Sequence, residues 1–420
     1  MPIPFEPDTR GLPAPSAEEQ VHSAALTERI RADIGAHGGV IDFSRFMELA
    51  LYAPGLGYYS AGRRKFGAAG DFVTAPELGS LFARCLARPC RQILAALNGA
   101  DILEAGAGSG ALAADLLREL EALGSLPRNY LILELSAELR ARQAQTLKLK
   151  VPHLFDRVHW LEALPAKGFR GVVFGNELLD AMPVERFRMT AAGLQQLQVG
   201  WEENHSAIAP GIALPPPSAT APDVALPPPS LASFVWRERC ADAALQRRIG
   251  ALCLPQHYTS EINFLAEAWV GSVADRLTEG VVLLMDYGFP RAEFYHPQRA
   301  GGTLMCHYRH RAHADPLVQV GLQDITAHVD FTAIAEAGCA AGLALLGYTS
   351  QASFLLDCDL EKILSASDPN DVRAHLALTQ QAKKLTLPQE MGELVKVMAL
   401  GRGLDMPLAG FRQQDRRTRL

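Results

Sequence analysis

The sequence predicts an α/β fold: a mostly parallel, Rossmann-like sheet with helices on both faces, an N-terminal helical extension, and an insertion between the fourth and fifth strands. Three observations carry this. From Asp101 onward, short apolar runs alternate with amphipathic segments, the pattern of parallel strands joined by crossover helices. A glycine-rich turn sits directly between the first such run and the helix after it. Roughly a hundred residues of helical and irregular sequence precede that run. The chain divides accordingly into a flexible arm (residues 1–16), a helical and lid region (17–98), a ligand-binding domain (99–403) carrying a proline-rich insert (204–232), and a tail (404–420).

Each element has its own signal. Five prolines in residues 1–16 predict a loose arm. Val21, Ala25, Leu26, Ile30 and Ile34 recur at helical spacing and predict a helix from Glu18 to Ala36. A second helix is expected from Asp42 to Tyr52, with Asp42 as its N-cap, and it stops at Ala53-Pro54-Gly55. Residues 55–74 are rich in glycine and aromatics without a period, the mark of a functional loop, and a third helix is expected from Pro76 to Ala96. Strands are then expected at 101–104, 130–134, 158–160 and 171–175, with helices at 111–123 and 137–147 between them. Beyond the insert come a helix at 262–277, a strand at 281–285, a helix at 331–341 and a strand at 344–347; helices within 351–385 lead to a last strand at 395–400. In the insert, Ala-Leu-Pro-Pro-Pro-Ser occurs at Ala213–Ser218 and again at Ala225–Ser230. Such runs favour exposed polyproline II, either as a surface insertion or as a ligand for a proline-recognition module.

Composition removes several function classes. Hydrophobic content of 48% and charged content of 20% fit a soluble globular protein with a sizeable core. A formal net charge of −6 offers no broad basic face, so nucleic acid is not an expected partner. No apolar run reaches the roughly 20 residues that span a bilayer. The seven cysteines are dispersed without a C-x-x-C pair and read as free thiols; the first residues lack a signal-peptide core and an arginine-rich presequence. The expected location is the cytoplasm. Cys306 to His313 resembles a run of metal ligands, but its spacing matches no zinc signature and Arg309 and Arg311 interrupt it. A solvated loop or an acceptor-facing surface is expected there, and no metal.

The chemistry concentrates at two strand ends. Glu104-x-Gly106-x-Gly108-Ser109-Gly110 follows the first strand, where glycines let backbone approach a ligand and the next helix offers unpaired N–H groups. Gly106-x-Gly108-x-x-Ala111 also satisfies the dinucleotide pattern. Glu104 argues against it, because a carboxylate there repels pyrophosphate yet suits the ammonium of an amino acid. Glu134, ending the second strand, is placed to accept hydrogen bonds from ribose hydroxyls. Together these predict S-adenosyl-L-methionine as cofactor. After the fourth strand, Asn176, Glu177 and Asp180 form a polar lip beside the first strand's end. Glu177 and Asp180, three apart, are expected on one face of a helical turn, where two carboxylates could grip a guanidinium. Residues 70–77 are a candidate lid, with Asp71 and Thr74 as polar contacts to the cofactor.

Several segments in order resemble one family. Glu104–Gly110, Glu134-Leu-Ser136, Asn176-Glu-Leu-Leu-Asp180-Ala-Met-Pro183 and Asp286-Tyr287-Gly288 are similar to the MidA-like methyltransferases, related to the mitochondrial complex I assembly methyltransferase. So are Tyr52–Tyr59, Gly70–Glu77, Ser260–Asn263 and Asp324–Phe331; the likeness spans about residues 22 to 403 without the proline-rich insert. It implies a class I methyltransferase fold and, for the mitochondrial relative, symmetric dimethylation of an arginine in a respiratory complex I subunit. By position it places Gly106, Gly108, Gly110 and Glu134 at the cofactor, and Asn176, Glu177 and Asp286 near the reaction centre. Ala107 and Ser109 depart from the family, where proline and arginine are common between the glycines. The expected function is therefore methylation of a protein arginine. Methylation of another residue or a small molecule, or a non-catalytic assembly factor that binds the cofactor, are the alternatives; a nicotinamide dehydrogenase is a remote one.

Overall fold

The computed structural model describes residues 11–61, 74–203, 232–368 and 370–420. The first ten residues, Asp71 and nearly all of the proline-rich insert lie outside the described residues.

Helix α1 (Ala17–Ala36) opens with a capping box: Ser16 accepts the Glu19 N–H, and Glu19 accepts the Ser16 N–H. Its inward face is Leu26, Ile30 and Ile34, whereas Val21 and Ala25, expected on the same stripe, face solvent. Strand β1 (Val40–Asp42) leads into α2 (Phe43–Tyr52). Asp42 holds the N-cap position but does not cap; its carboxylate accepts instead from Gln198, 2.7 Å away. The expected third helix is two pieces. A 3-10 turn (Ala75–Leu78) ends at Gly79, and only then does α3 (Leu81–Ala96) begin. Gly79 has φ +141°, which breaks a continuous helix.

The parallel sheet follows as predicted. Along the chain come β2 (Asp101–Ala105), α4 (Ala111–Ala122), β3 (Tyr130–Leu133), α5 (Ala137–Lys150), β4 (Val158–Leu161) and β5 (Phe169–Asn176). An inserted unit then contributes β6 (Glu185–Thr190), β7 (Gly193–Glu202), β8 (Ser233–Cys240), α6 (Ala243–Gly250) and β9 (Thr259–Ile262). The sheet resumes through α7 (Phe264–Arg276) and β10 (Leu277–Phe289), then α8 (Arg291–Phe294) and the short strands β11 (Met305–Tyr308), β12 (Arg311–His313), β13 (Asp324–Thr326) and β14 (Val329–Asp330). Helix α9 (Phe331–Ala340), β15 (Ala344–Ser350), α10 (Gln351–Asp357), α11 (Leu360–Ser365), α12 (Val372–Thr386) and β16 (Val395–Arg402) complete it.

The main sheet runs β15-β16-β10-β5-β2-β3-β4, with β14 beside the end of β10. β4, β3, β2, β5 and β10 pair in parallel, and β16 alone opposes its two neighbours. Strands β5, β10 and β16 are buried almost throughout, as strands covered on both faces must be. One face packs on α3, α4, α10 and α11, the other on α7 and α9. The C-terminal ends of β2, β3, β5 and β10 therefore share one edge, where ligands of open parallel sheets bind.

Sequence reading anticipated the insertion but not its structure. It is an antiparallel sheet, β1-β7-β6-β9 with β8 on β7, and the N-terminal helices pack on it. The alternation of β7 is concealed because Gln196 and Gln198 are buried; they hydrogen-bond to Glu185 and Asp42. The Cys306–His313 run is not a plain loop, although Arg309 to Ala312 are exposed as expected of a solvated segment. It is a hairpin whose Cys306, Tyr308 and His313 are buried, with Arg309 and His310 in left-handed conformation at its turn. Among the described residues no cluster of metal-ligating side chains occurs, and no helix is long and apolar enough to cross a membrane.

Candidate active site

The glycine loop connects β2 to α4 with three left-handed residues: Gly106 (φ +71°), Gly108 (φ +53°) and Gly110 (φ +79°). A side chain at any of them would strain the backbone. At Gly110 a Cβ would also press within 3.0 Å of the Gln143 backbone. Ser109 lies inside the loop and donates its hydroxyl to Glu77, while its oxygen accepts the Ala111 N–H at 3.3 Å.

Two carboxylates flank the loop. Glu104 is buried below it and accepts a 2.6 Å hydrogen bond from Tyr130; burial pushes its carboxyl up to about 7. Glu134, at the end of β3, accepts from the Ser136 N–H at 2.9 Å and from Gln143 Nε2 at 3.0 Å. Gln143 is fully buried. It also donates to the Gly108 carbonyl at 3.1 Å and accepts from Trp160 at 2.9 Å, so one amide ties the expected ribose acid to the glycine loop.

The lip after β5 is not the helical turn expected from the spacing of Glu177 and Asp180. Glu177 is left-handed, φ +49°, and the following N–H groups turn inward onto one oxygen of Asp286. Leu178, Leu179 and Asp180 approach Asp286 Oδ2 at 3.0, 2.7 and 3.4 Å, and Tyr287 N–H meets the other oxygen at 2.9 Å. A carboxylate satisfied by several N–H groups fixes the loop around it. Asn263 supports the lip from outside, donating to the carbonyls of Leu179 and Met182 at 3.0 and 3.3 Å.

The lip carries an electrostatic excess. Burial raises Glu177 to about 8, and Asp286, Asp324 add to the shift. Burial also holds Asp180 well above the usual carboxylate range, with Asp286, Glu177 and Asp324 as further causes. Asp286 is pushed to about 7 by burial against the pull of its N–H donors. The charged influences on Glu177 and Asp180 are all carboxylates. Asn176 donates to Glu177 at 3.1 Å, and its own side-chain oxygen is buried without a partner among the described residues. Tyr52 and Tyr59 stack at 5.5 Å beside this cluster; Tyr52 donates to the Ala181 carbonyl and Tyr59 to Asp324, each at 2.9 Å.

These donors and charges fit S-adenosyl-L-methionine, a cation with an ammonium, a sulfonium and a ribose diol. The acidic surroundings disfavour the pyrophosphate of a dinucleotide. The family model for an S-adenosyl-L-methionine-dependent methyltransferase matches residues 85–349. The chain belongs to that family. A solved structure from Burkholderia thailandensis bound to S-adenosyl-homocysteine is similar to this methyltransferase at 46% identity and a TM-score of 0.88, over 98% of this chain and 100% of that one. A second structure from the same organism matches at 45% identity and a TM-score of 0.86, again over 98% and 100%. Among curated proteins, the mitochondrial protein arginine methyltransferase NDUFAF7 of Danio rerio is 27% identical over 90% of each chain. The human protein of that name is 27% identical, over 86% of this chain and 80% of its own.

In this methyltransferase Gly106, Gly108, Ser109, Gly110, Glu104 and Glu134 thus gather at one strand edge, next to Asn176, Glu177, Asp180 and Asp286. Thr74 begins the 3-10 turn, without a side-chain cap, and its carbonyl accepts the Glu77 N–H at 3.0 Å. Sequence reading missed Glu77, Tyr130, Gln143 and Asn263 as supports of the site. Only Asn263 and Glu77 carried a signal, since both lie in segments that resemble the family.

Proposed function

We propose that this S-adenosyl-L-methionine-dependent methyltransferase modifies an arginine of a protein, as a subunit of respiratory complex I is modified by the relative its motifs resemble. One observation carries the reading: buried Asp180 and half-buried Glu177, crowded by Asp286 and Asp324, have no basic residue among their main electrostatic partners, beside an Asn176 side-chain oxygen that has no partner among the described residues. A guanidinium supplies the missing charge and several N–H donors at once. The names of the mitochondrial relatives support the same acceptor.

The bound cofactor supplies an electrophilic methyl group on a sulfonium. The protein's part is alignment, exclusion of water and custody of a proton. In the proposed arrangement Glu104 faces the amino-acid end and Glu134 the ribose, with Ser109 and Thr74 as polar contacts. Glu177 and Asn176 orient the guanidinium, and Asp180 adds charge. As the nitrogen–carbon bond formed, the methyl carbon–sulfur bond would break with its electron pair going to sulfur, releasing a neutral thioether, and the nitrogen proton would pass to the Glu177 carboxylate and then to water. Asp286 acts through the backbone, holding Glu177 and Asp180 in place. A reducing, cytoplasmic setting belongs to the same reading, supported by seven cysteines without a disulfide.

Incubation with isotope-labelled S-adenosyl-L-methionine and fractionated cell protein, followed by mass spectrometry, tests the acceptor. Methylarginine on a protein that disappears with Glu177→Gln is the expected result. Label on another residue or on a small molecule overturns the arginine reading, and cofactor binding without any label points to an assembly factor.

A further inference from the structure

The 3-10 turn Ala75–Leu78 belongs to neither half of the site, yet it touches both. On the donor side, the Glu77 carboxylate accepts the Ser109 hydroxyl from inside the glycine loop. On the acceptor side, the Ala75 N–H points at Glu177 Oε1, 3.4 Å away. Behind it, α12 closes on the turn's exit: Gln381 accepts the Leu81 N–H at 3.2 Å, and a Cβ on Gly79 would come within 2.5 Å of the Gln381 amide. Ala75 is fully buried, so the turn is wedged between these contacts. Only Pro76 separates its acceptor-side contact, at Ala75, from its donor-side contact, at Glu77. A tightly wound segment that short transmits a shift at one end to the other.

We propose that Glu77 is a positioning residue that couples the two halves of the site. By holding Ser109 it sets the glycine loop for the cofactor, and by seating the turn it presents the Ala75 N–H that orients Glu177. Cofactor binding and lip geometry are then linked through one carboxylate. The donor half rests on the family's cofactor, and the acceptor half on the role proposed for Glu177.

Calorimetry with S-adenosyl-homocysteine, on the full chain, tests the first half. Glu77→Ala and Ser109→Ala each weaken binding about tenfold, as expected for loss of a charge-assisted hydrogen bond, and the double variant is no weaker than the worse single one. Glu77→Gln, which keeps an acceptor for the serine, restores most of the affinity. Additive losses, or unchanged binding, overturn the coupling. Infrared titration of the Glu177 carboxyl, isolated by subtracting the Glu177→Gln spectrum, tests the second half. An N–H donor favours the ionised carboxylate, so Glu77→Ala moves the midpoint upward by ~0.5–1 pH unit. A merely structural residue would lower the melting temperature and leave that midpoint in place, which overturns the link to the lip. Failure of the wild-type chain to bind S-adenosyl-homocysteine would instead strike the cofactor reading.

Discussion

The ends of β2 and β3 and the ends of β5 and β10 are built on different principles. At the first pair, carboxylates are held by neutral donors: Tyr130 on Glu104, Gln143 and the Ser136 N–H on Glu134. At the second pair, backbone N–H groups satisfy Asp286, while Glu177, Asp180 and Asp324 crowd one another. Geometry at the donor floor is thus set by hydrogen bonds within the protein itself. The proposed acceptor lip is also anchored by hydrogen bonds, those on Asp286, but its other carboxylates crowd one another, so its protonation and its ligand are thermodynamically linked. A floor that is preformed and a lip that is completed by its substrate give the chemistry its order.

The comparison breaks most visibly at Glu177. Glu177→Gln keeps the shape and removes the proton acceptor; methyl transfer is expected to fall by about 10²–10⁴-fold, the span of general acid–base catalysis, with S-adenosyl-homocysteine affinity nearly intact. Equal losses of both, measured by labelled turnover and calorimetry, would erase the distinction between floor and lip. Asp286→Ala strips the lip of its anchor and leaves four N–H groups without their acceptor. A loss of about 2–3 kcal/mol in denaturant unfolding is expected for such buried, charge-assisted bonds, together with loss of turnover.

On the floor, Gln143→Leu frees Glu134 and the Gly108 carbonyl at once. It should weaken S-adenosyl-homocysteine about tenfold, in keeping with loss of a hydrogen bond to a charged group, and do so independently of pH. The smallest effect is the pH dependence of the ligand-free protein. The Glu177 carboxyl is raised to about 8 in the folded chain from an ordinary value of 4.5. The folded state then holds a proton that the unfolded chain releases, so stability is greatest below the ordinary value and declines as pH rises through 8. Melting temperatures between pH 5 and 8 should fall, and Glu177→Gln should flatten the slope. A slope that rises with pH would reverse the electrostatic account of the lip.

The floor was largely legible in the sequence, and the lip only in part. Glycines at fixed offsets after an apolar run, and an acid at the next strand end, are local patterns, and β2, β3, β5 and β10 fall where periodicity puts them. The role of Asp286 is not local. It lies over a hundred residues from the N–H groups it gathers, and a positive φ at Glu177 cannot be read from a glutamate. The spacing of Glu177 and Asp180 suggested a helical turn because the sequence does not show a buried acceptor able to draw those N–H groups inward. The antiparallel insertion was hidden for a related reason: Gln196 and Gln198 look like surface residues until their buried partners are known.

The placement of β16 bears on synthesis. Strand β10, which carries Asp286 at its end, lies between β5 and a strand that begins only at Val395. While a ribosome is making the chain, β5 and β10 can pair as soon as both emerge, but the edge of β10 that takes β16 stays unpaired until Val395–Arg402 arrives. That edge belongs to a buried, strongly apolar strand, the kind most prone to join a neighbouring chain. A chain cut short before residue 395 therefore keeps the glycine loop and every carboxylate of the lip, yet exposes a sticky margin along the strand that holds them. Early termination should produce aggregates rather than a folded, slower enzyme.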